Sequence, residues 1–177
     1  MRWHCEPVEW RETGDSITLT TSAKTDFWRR THYGFIRDNG HFYGMPVSGN
    51  FTATVKVIGQ YRDLYDQAGL MVRLDEANWM KCGIEYVEDI QNASVVVTRD
   101  LSDWSITPLA GSPPAIWLRV RREDSALTIE YSVDDEHYSL LRLAYLTSAQ
   151  VQVGVMACSP EGAGFTVTFE GFRVTFG

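Results

Sequence analysis

Side chains able to bind a polar ligand are concentrated between Asp66 and Ser105. Sugars present apolar C–H faces, which stack on aromatic rings, and hydroxyls, which hydrogen-bond to amide, carboxylate and cationic side chains. The sequence therefore predicts a site for a carbohydrate or another polyhydroxylated ligand. The candidate stacking residues are Trp28, Trp79 and Trp104, and the candidate hydrogen-bonding residues are Gln67, Arg73, Lys81, Glu85 and Asp103.

Glycoside hydrolysis is the catalytic alternative for the same residues. It needs two carboxyl groups on either side of one bond, roughly 5 to 9.5 Å apart. Glu85 and Asp103 are the weak candidates, because position 87, on the predicted face of Glu85, is a valine. A salt bridge of Glu85 with Lys81 or Arg73 is the favoured interpretation, so the sequence leans against an enzyme.

Strand periodicity predicts that most of these polar groups share one surface. Residues two apart in a strand point to the same face, and both 67–75 and 79–87 alternate between an aliphatic and a polar set. Pairing Arg73 with Trp79 places Gln67 opposite Glu85, so that the polar sets coincide. A slip of one residue would mix them with the aliphatic sets. The same register places Gly69 opposite Gly83 and predicts a shallow trough in a water-facing surface.

The rest of the chain repeats this alternation, and no segment has apolar residues at the i, i+3, i+4, i+7 spacing of an amphipathic helix. About a dozen short strands separated by turn signals indicate an all-β fold, an antiparallel β-sandwich or barrel. Asn39-Gly40 predicts a hairpin turn. The aromatic stretch from Thr25 to Phe35 is a second candidate rim of the functional surface, and the segment from Arg99 to Ser105 is predicted to be a rim loop.

Length and composition narrow the function classes. A chain of 177 residues, 44% hydrophobic and 22% charged, suits one domain over 1–177. A net charge of −7 argues against nucleic acid as a partner, because binding to phosphates depends on Lys and Arg. No apolar run approaches the ~20 residues of a membrane span, so no membrane partner is predicted.

Cysteine and histidine usage predicts neither a cofactor nor a metal. Cys5, Cys82 and Cys158 are an odd number without metal-type spacing. The four histidines have no obvious partners. The first ten residues lack the apolar core of a signal peptide, so we expect a cytoplasmic protein.

Four short motifs resemble the regulation-of-enolase protein family, catalogued largely as a domain of unknown function within the concanavalin A-like lectin/glucanase superfamily. They are Asp26-Phe27-Trp28-Arg29, Asp66-Gln67-Ala68-Gly69-Leu70-Met71-Val72-Arg73, Gly83-Ile84-Glu85-Tyr86 and Ser102-Asp103-Trp104-Ser105. The resemblance implies a concanavalin A-like jelly roll whose concave face holds sugar in the superfamily's lectins and glucanases. It implies no reaction, since fold alone does not determine function.

Three functional hypotheses follow. The first is a lectin-like domain that binds carbohydrate in a concave groove lined by tryptophan and charged residues. The second is a sugar-active, glycoside hydrolase-like enzyme with two facing carboxylates. The third is a protein-interaction or regulatory module, such as a homodimer, whose aromatic patches bury a partner.

Overall fold

The computed structural model describes residues 1–177, which form sixteen β-strands and no α-helix. The strands are β1 (Arg2–His4), β2 (Glu9–Thr13), β3 (Ser16–Thr20), β4 (Phe27–Arg29), β5 (Ile36–Asp38), β6 (His41–Val47), β7 (Phe51–Gly59), β8 (Gln67–Arg73), β9 (Asn78–Val87), β10 (Ile90–Arg99), β11 (Leu101–Pro108), β12 (Ile116–Glu123), β13 (Ala126–Ser132), β14 (Ser139–Tyr145), β15 (Val151–Cys158) and β16 (Thr166–Phe176). The structure contains no helix long and apolar enough to cross a bilayer.

Fourteen of the strands form two antiparallel sheets of seven. The front sheet has the order β1-β6-β15-β8-β9-β10-β11, and the back sheet has the order β14-β13-β12-β7-β16-β3-β2. The two sheets pack face to face as a concanavalin A-like jelly roll, which confirms the predicted fold class. The first strands, β1 and β2, extend one edge of each sheet.

Alternation along the strands places the core between the sheets. In β8 and β9 the residues Ala68, Leu70, Met80, Cys82 and Ile84 point inward and are buried. Facing strands of the back sheet contribute the same kind of side chain, and the shared core comprises 30 buried residues. Burying such a side chain stabilises the fold by ~1.5–3 kcal/mol. The aliphatic side chains at alternate positions therefore face the core, and the opposite face of these strands remains for ligands.

The predicted register of the two central strands is confirmed. Arg73 pairs with Trp79, Gly69 with Gly83, and Gln67 with Glu85. In place of the predicted trough there is a small hollow of about 160 Å³, lined by Gly83 but not by Gly69. A Cβ atom on Gly83 would collide with the backbone carbonyl of Ala68, so this glycine is required by close strand packing.

A two-stranded ribbon formed by β4 and β5 covers part of the front sheet's outer face. Phe27 and Trp28 of the ribbon pack on Met71 and Trp79 of the sheet in a second, smaller apolar cluster. The prediction that this whole face is open to water is therefore wrong, because a third layer covers the end that carries Trp79.

Two local predictions also differ from the structure. Asn39 and Gly40 separate β5 from β6, but these strands lie in different layers and do not form a hairpin. Gly40 packs so closely on Phe27 and Cys158 that a Cβ atom would not fit. The segment from Arg99 to Ser105 is not a loop, because β11 turns back after Asp100 and pairs with β10 along its length.

Candidate functional site

An aromatic pocket opens on the front sheet beside the ribbon. The space between its walls, counted out into open solvent, is about 490 Å³. Strands β8, β9, β10 and β11 form its floor and one wall, and the ribbon with neighbouring loops forms the other walls. The lining residues are Asp26, Trp28, Tyr33, Phe35, Arg37, Tyr65, Gln67, Lys81, Glu85, Val96, Trp104, Pro160 and Glu161.

Glu85 is the most constrained polar group of the aromatic pocket. Its Oε2 atom accepts a 2.6 Å hydrogen bond from the Ser94 hydroxyl and a 2.8 Å bond from Trp104 Nε1. Its Oε1 atom has no hydrogen-bond partner in the protein and remains accessible from the pocket. Burial raises the pKa of Glu85 despite the nearby Lys81, so the carboxyl group keeps its proton to higher pH than usual.

Lys81 connects the floor of the aromatic pocket to the ribbon. Its Nζ atom donates a 2.7 Å hydrogen bond to the Phe27 carbonyl and lies 3.3 Å from Asp26 Oδ1. The side chain of Lys81 is almost fully buried, and Asp26 also accepts a bond from the Phe27 amide. The pair is thus a partnered ion pair inside the protein, as a buried charge requires.

Two contacts join opposite sides of the pocket mouth. The hydroxyls of Tyr33 and Tyr65 lie 3.1 Å apart, and this hydrogen bond raises the pKa of Tyr65 to about 12. Arg37 Nη1 lies 3.7 Å from Glu161 Oε1. These contacts connect the ribbon side of the mouth to the loops of the body.

The structure brings together five of the predicted site residues and separates three. Trp28, Gln67, Lys81, Glu85 and Trp104 line the aromatic pocket. Trp79 does not, because it is 1% exposed and packs edge-on against Phe27 at 6.1 Å. Trp28 is 8% exposed, so neither of these two indoles stands out from the protein surface.

Arg73 also lies outside the aromatic pocket. Its guanidinium forms two hydrogen bonds, of 2.7 and 2.9 Å, with both carboxylate oxygens of Asp38 at the end of β5. Such a bidentate pair is strong and geometrically specific. Arg73 therefore fixes one end of the ribbon, while Arg29, bonded to Asp100, fixes the other.

Asp103 does not face Glu85. It pairs with Val97, whose side chain points into the core, whereas its neighbour Trp104 pairs with Val96 on the outer face. Alternation thus directs Asp103 away from Trp104. The carboxylates that do share the pocket with Glu85 are Asp26, which is paired with Lys81, and Glu161, which is paired with Arg37.

Several pocket residues are missing from the sequence prediction. Tyr33, Phe35 and Arg37 lie in or next to the aromatic stretch from Thr25 to Phe35, whose unusual composition was the available signal. Tyr65 and Glu161 lie in loops far apart in sequence, and only the folding of the chain brings them to one mouth.

The fold and pocket define a concanavalin A-like β-sandwich protein with a partly covered aromatic pocket on its front sheet. The chain belongs to the family described as protein of unknown function (DUF1349), whose model matches residues 3–176. It is 45% identical over 174 residues to "Regulation of enolase protein 1" of Saccharomyces cerevisiae, covering 98% of this chain and 88% of that protein. The resemblance to the regulation-of-enolase family is therefore confirmed.

Solved structures of more distant proteins share the fold. The GH43 protein BlXynB of Bacillus licheniformis superimposes with a TM-score of 0.70 at 17% identity, over 96% of this chain and 35% of that chain. The carbohydrate binding module CBM66 of Bacillus subtilis superimposes with a TM-score of 0.61 at 14% identity, over 97% and 94% of the two chains. At these identities the similarity establishes the fold alone.

Proposed function

We propose that this protein is a lectin-like domain that binds a neutral carbohydrate in the aromatic pocket. The observation that supports it best is the environment of Glu85, a buried carboxyl group with one oxygen held by the protein and the other free toward the pocket. A polar group that is buried, oriented and unsatisfied on one side is suited to a ligand hydroxyl.

The walls suit the apolar faces of a sugar ring. Trp104 and Tyr33 are partly exposed at the mouth, and Trp28 and Phe35 extend the aromatic lining inward. Gln67 Nε2 donates a hydrogen bond to the Tyr65 carbonyl, so Gln67 Oε1 remains available as an acceptor. Rings for stacking and a few fixed polar groups are the combination that recognises a sugar.

A binding role agrees with these contacts better than a hydrolytic one. Of the other carboxylates of the pocket, Glu161 contacts Lys24 and Arg37, and Asp26 is held by Lys81 and by the Phe27 amide. Asp26 is therefore engaged in holding the ribbon. The printed name of the CBM66 neighbour, a carbohydrate binding module, supports the same proposal by analogy of fold.

A glycan array followed by calorimetric titration tests the proposal. Trp104→Ala removes an aromatic wall, and Gln67→Leu removes a polar floor group at similar volume. We expect each to weaken binding by roughly tenfold or more, because a stacking surface or a buried hydrogen-bond partner is lost.

Trp117→Ala is the matched control, since Trp117 is a half-buried tryptophan in β12 of the back sheet. It should leave the affinity unchanged. A wild-type protein that binds no glycan on the array or at millimolar sugar would overturn the proposal, as would equal losses in the Trp104 and Trp117 variants.

We also propose that the protein acts in a reducing compartment such as the cytoplasm. Cys5 is exposed as a free thiol, and Cys82 and Cys158 are buried free thiols. Free thiols of this kind persist where the redox environment is reducing.

A further inference from the structure

A second concavity adjoins the aromatic pocket. This depression has a volume of about 760 Å³ counted out to solvent and is lined by Trp28, Thr31, His32, Tyr33, Ser102, Asp103 and Trp104. Three of these residues, Trp28, Tyr33 and Trp104, line the aromatic pocket as well. The two concavities are therefore neighbours that share one aromatic boundary.

Gln67, Lys81 and Glu85 form the inner end of the aromatic pocket, and all three are buried in the front sheet. The same three residues line the small hollow of about 160 Å³, which is much smaller than the depression. A chain molecule with one unit on that floor therefore has more room to continue through the mouth. Tyr33 and Trp104 stand at this mouth, with 43% and 36% of their surfaces exposed, and they also line the depression.

The loop that borders the depression has a defined shape. The Arg30 amide donates to the Phe35 carbonyl, and the Gly34 amide donates to the Arg30 carbonyl. The Tyr33 amide donates to the Thr31 carbonyl at 2.7 Å. His32 has a φ of 62° and packs edge-on against Tyr33 at 4.8 Å. A loop held in this way loses little conformational entropy when it binds a ligand.

The polar groups of the depression suit a neutral ligand. The side chains of Thr31 and His32 are exposed and make no hydrogen bond within the protein. The two cations of the concavities are both paired, Lys81 with Asp26 and Arg37 with Glu161. Neither is free to bind an anionic ligand, so a neutral one is favoured.

We propose that the ligand is a neutral oligosaccharide whose end unit occupies the aromatic pocket and whose second unit lies in the depression between Thr31–Tyr33 and β11. This inference rests on the proposed function and adds a ligand class to it. The rings of Tyr33 and Trp104 separate the two units and contact both.

Calorimetric titration with sugars of increasing length tests the inference. The probes are xylo-, cello- and fructo-oligosaccharides of one, two and three units. In the series that binds, affinity should rise roughly 2- to 10-fold from one unit to two, the gain expected for one further aromatic contact, and then level off. Equal affinities for one and two units would overturn the second subsite and leave the proposed function standing.

His32→Gly removes one wall of the depression and tolerates the positive φ. It should lower the disaccharide affinity to that of the monosaccharide and leave monosaccharide binding intact. His137→Ala, at an exposed histidine beside Asp134, is the control and should change neither. An unchanged disaccharide affinity in His32→Gly would overturn the inference. Absence of binding to every probe would overturn the proposed function together with it.

Discussion

Nζ of Lys81 lies 2.7 Å from the carbonyl oxygen of Phe27, so a buried side chain of β9 holds the ribbon against the front sheet. The same atom contacts Asp26, which precedes the ribbon in sequence. One lysine thus forms the pocket floor and fixes the wall above it. The loss of this contact should disturb stability and ligand binding together.

Replacing Lys81 with methionine should destabilise the protein strongly. The variant leaves the buried Asp26 carboxylate without its cation, and breaking a buried pair in this way costs roughly 3–5 kcal/mol. Urea unfolding measures the free energy. Lys56→Met is the control, because the Lys56–Glu170 pair is partly exposed and should contribute about 0–1 kcal/mol. Equal effects would contradict the structural role given to Lys81.

Replacing Arg73 with lysine should weaken the end of the ribbon. Lysine keeps the charge but cannot form the two parallel bonds to Asp38, so we expect a loss of about 1–2 kcal/mol. Arg119→Lys is the comparison, since Arg119 meets Glu130 through one bond on the outer face of the back sheet. Thermal unfolding of both variants should show the larger decrease for Arg73→Lys, and the reverse order would refute the prediction.

Glu85 should make stability depend on pH above its ordinary pKa. The pKa of Glu85 in the folded state is raised from the usual 4.5. The protonated carboxyl group therefore contributes fully to the stability of the fold below pH 4.5, and this contribution is lost as pH rises toward the folded-state pKa. Glu85→Gln carries no proton to lose. The stability of the variant relative to the wild type should therefore increase with pH above 4.5 and then level off. A difference independent of pH would show that Glu85 is not perturbed.

His41 should produce the opposite pH dependence. Its Nε2 accepts from the Ser22 amide, so Nδ1 is the donor to the Cys5 carbonyl, and burial lowers its pKa below 6.5. The folded state favours the neutral ring. The contribution of His41 to the stability of the fold is therefore present above pH 6.5 and is lost as pH falls. The slope approaches ~1.4 kcal/mol per pH unit at most.

Denaturant unfolding at pH 7.5, 6.5 and 5.5 measures this effect. His41→Gln keeps a donor and an acceptor but does not titrate, so its stability should fall less than that of the wild type. The stability of the variant relative to the wild type should rise as the pH decreases. Parallel pH profiles would rule out His41 as the source.

Periodicity in the sequence was sufficient to predict the sandwich and the register of its central strands. In β8 and β9 only one register places all the aliphatic side chains on the same face. That register pairs Gln67 with Glu85, and the structure has it. That inference uses only residues that are neighbours along or across two strands. It predicts which side chains share a face, but it does not predict which segment of the chain covers that face.

The ribbon could not be predicted in the same way. Asn39-Gly40 has the local preference of a hairpin, yet tertiary packing of Gly40 on Phe27 and Cys158 determines its conformation. Trp79 is buried for a related reason, since Phe27, more than fifty positions earlier, supplies the ring that covers it. Contacts of such long sequence separation leave no periodic signal.

The hydrogen bond from the Trp104 indole to Glu85 gives the protein a built-in optical reporter. Of the six tryptophans, Trp104 is the one that bonds directly to a carboxyl group with a raised pKa. Its fluorescence emission should change when that carboxyl group ionises and again when a sugar ring screens the indole from solvent. Occupancy and protonation of one cavity can therefore be followed in solution without an attached dye.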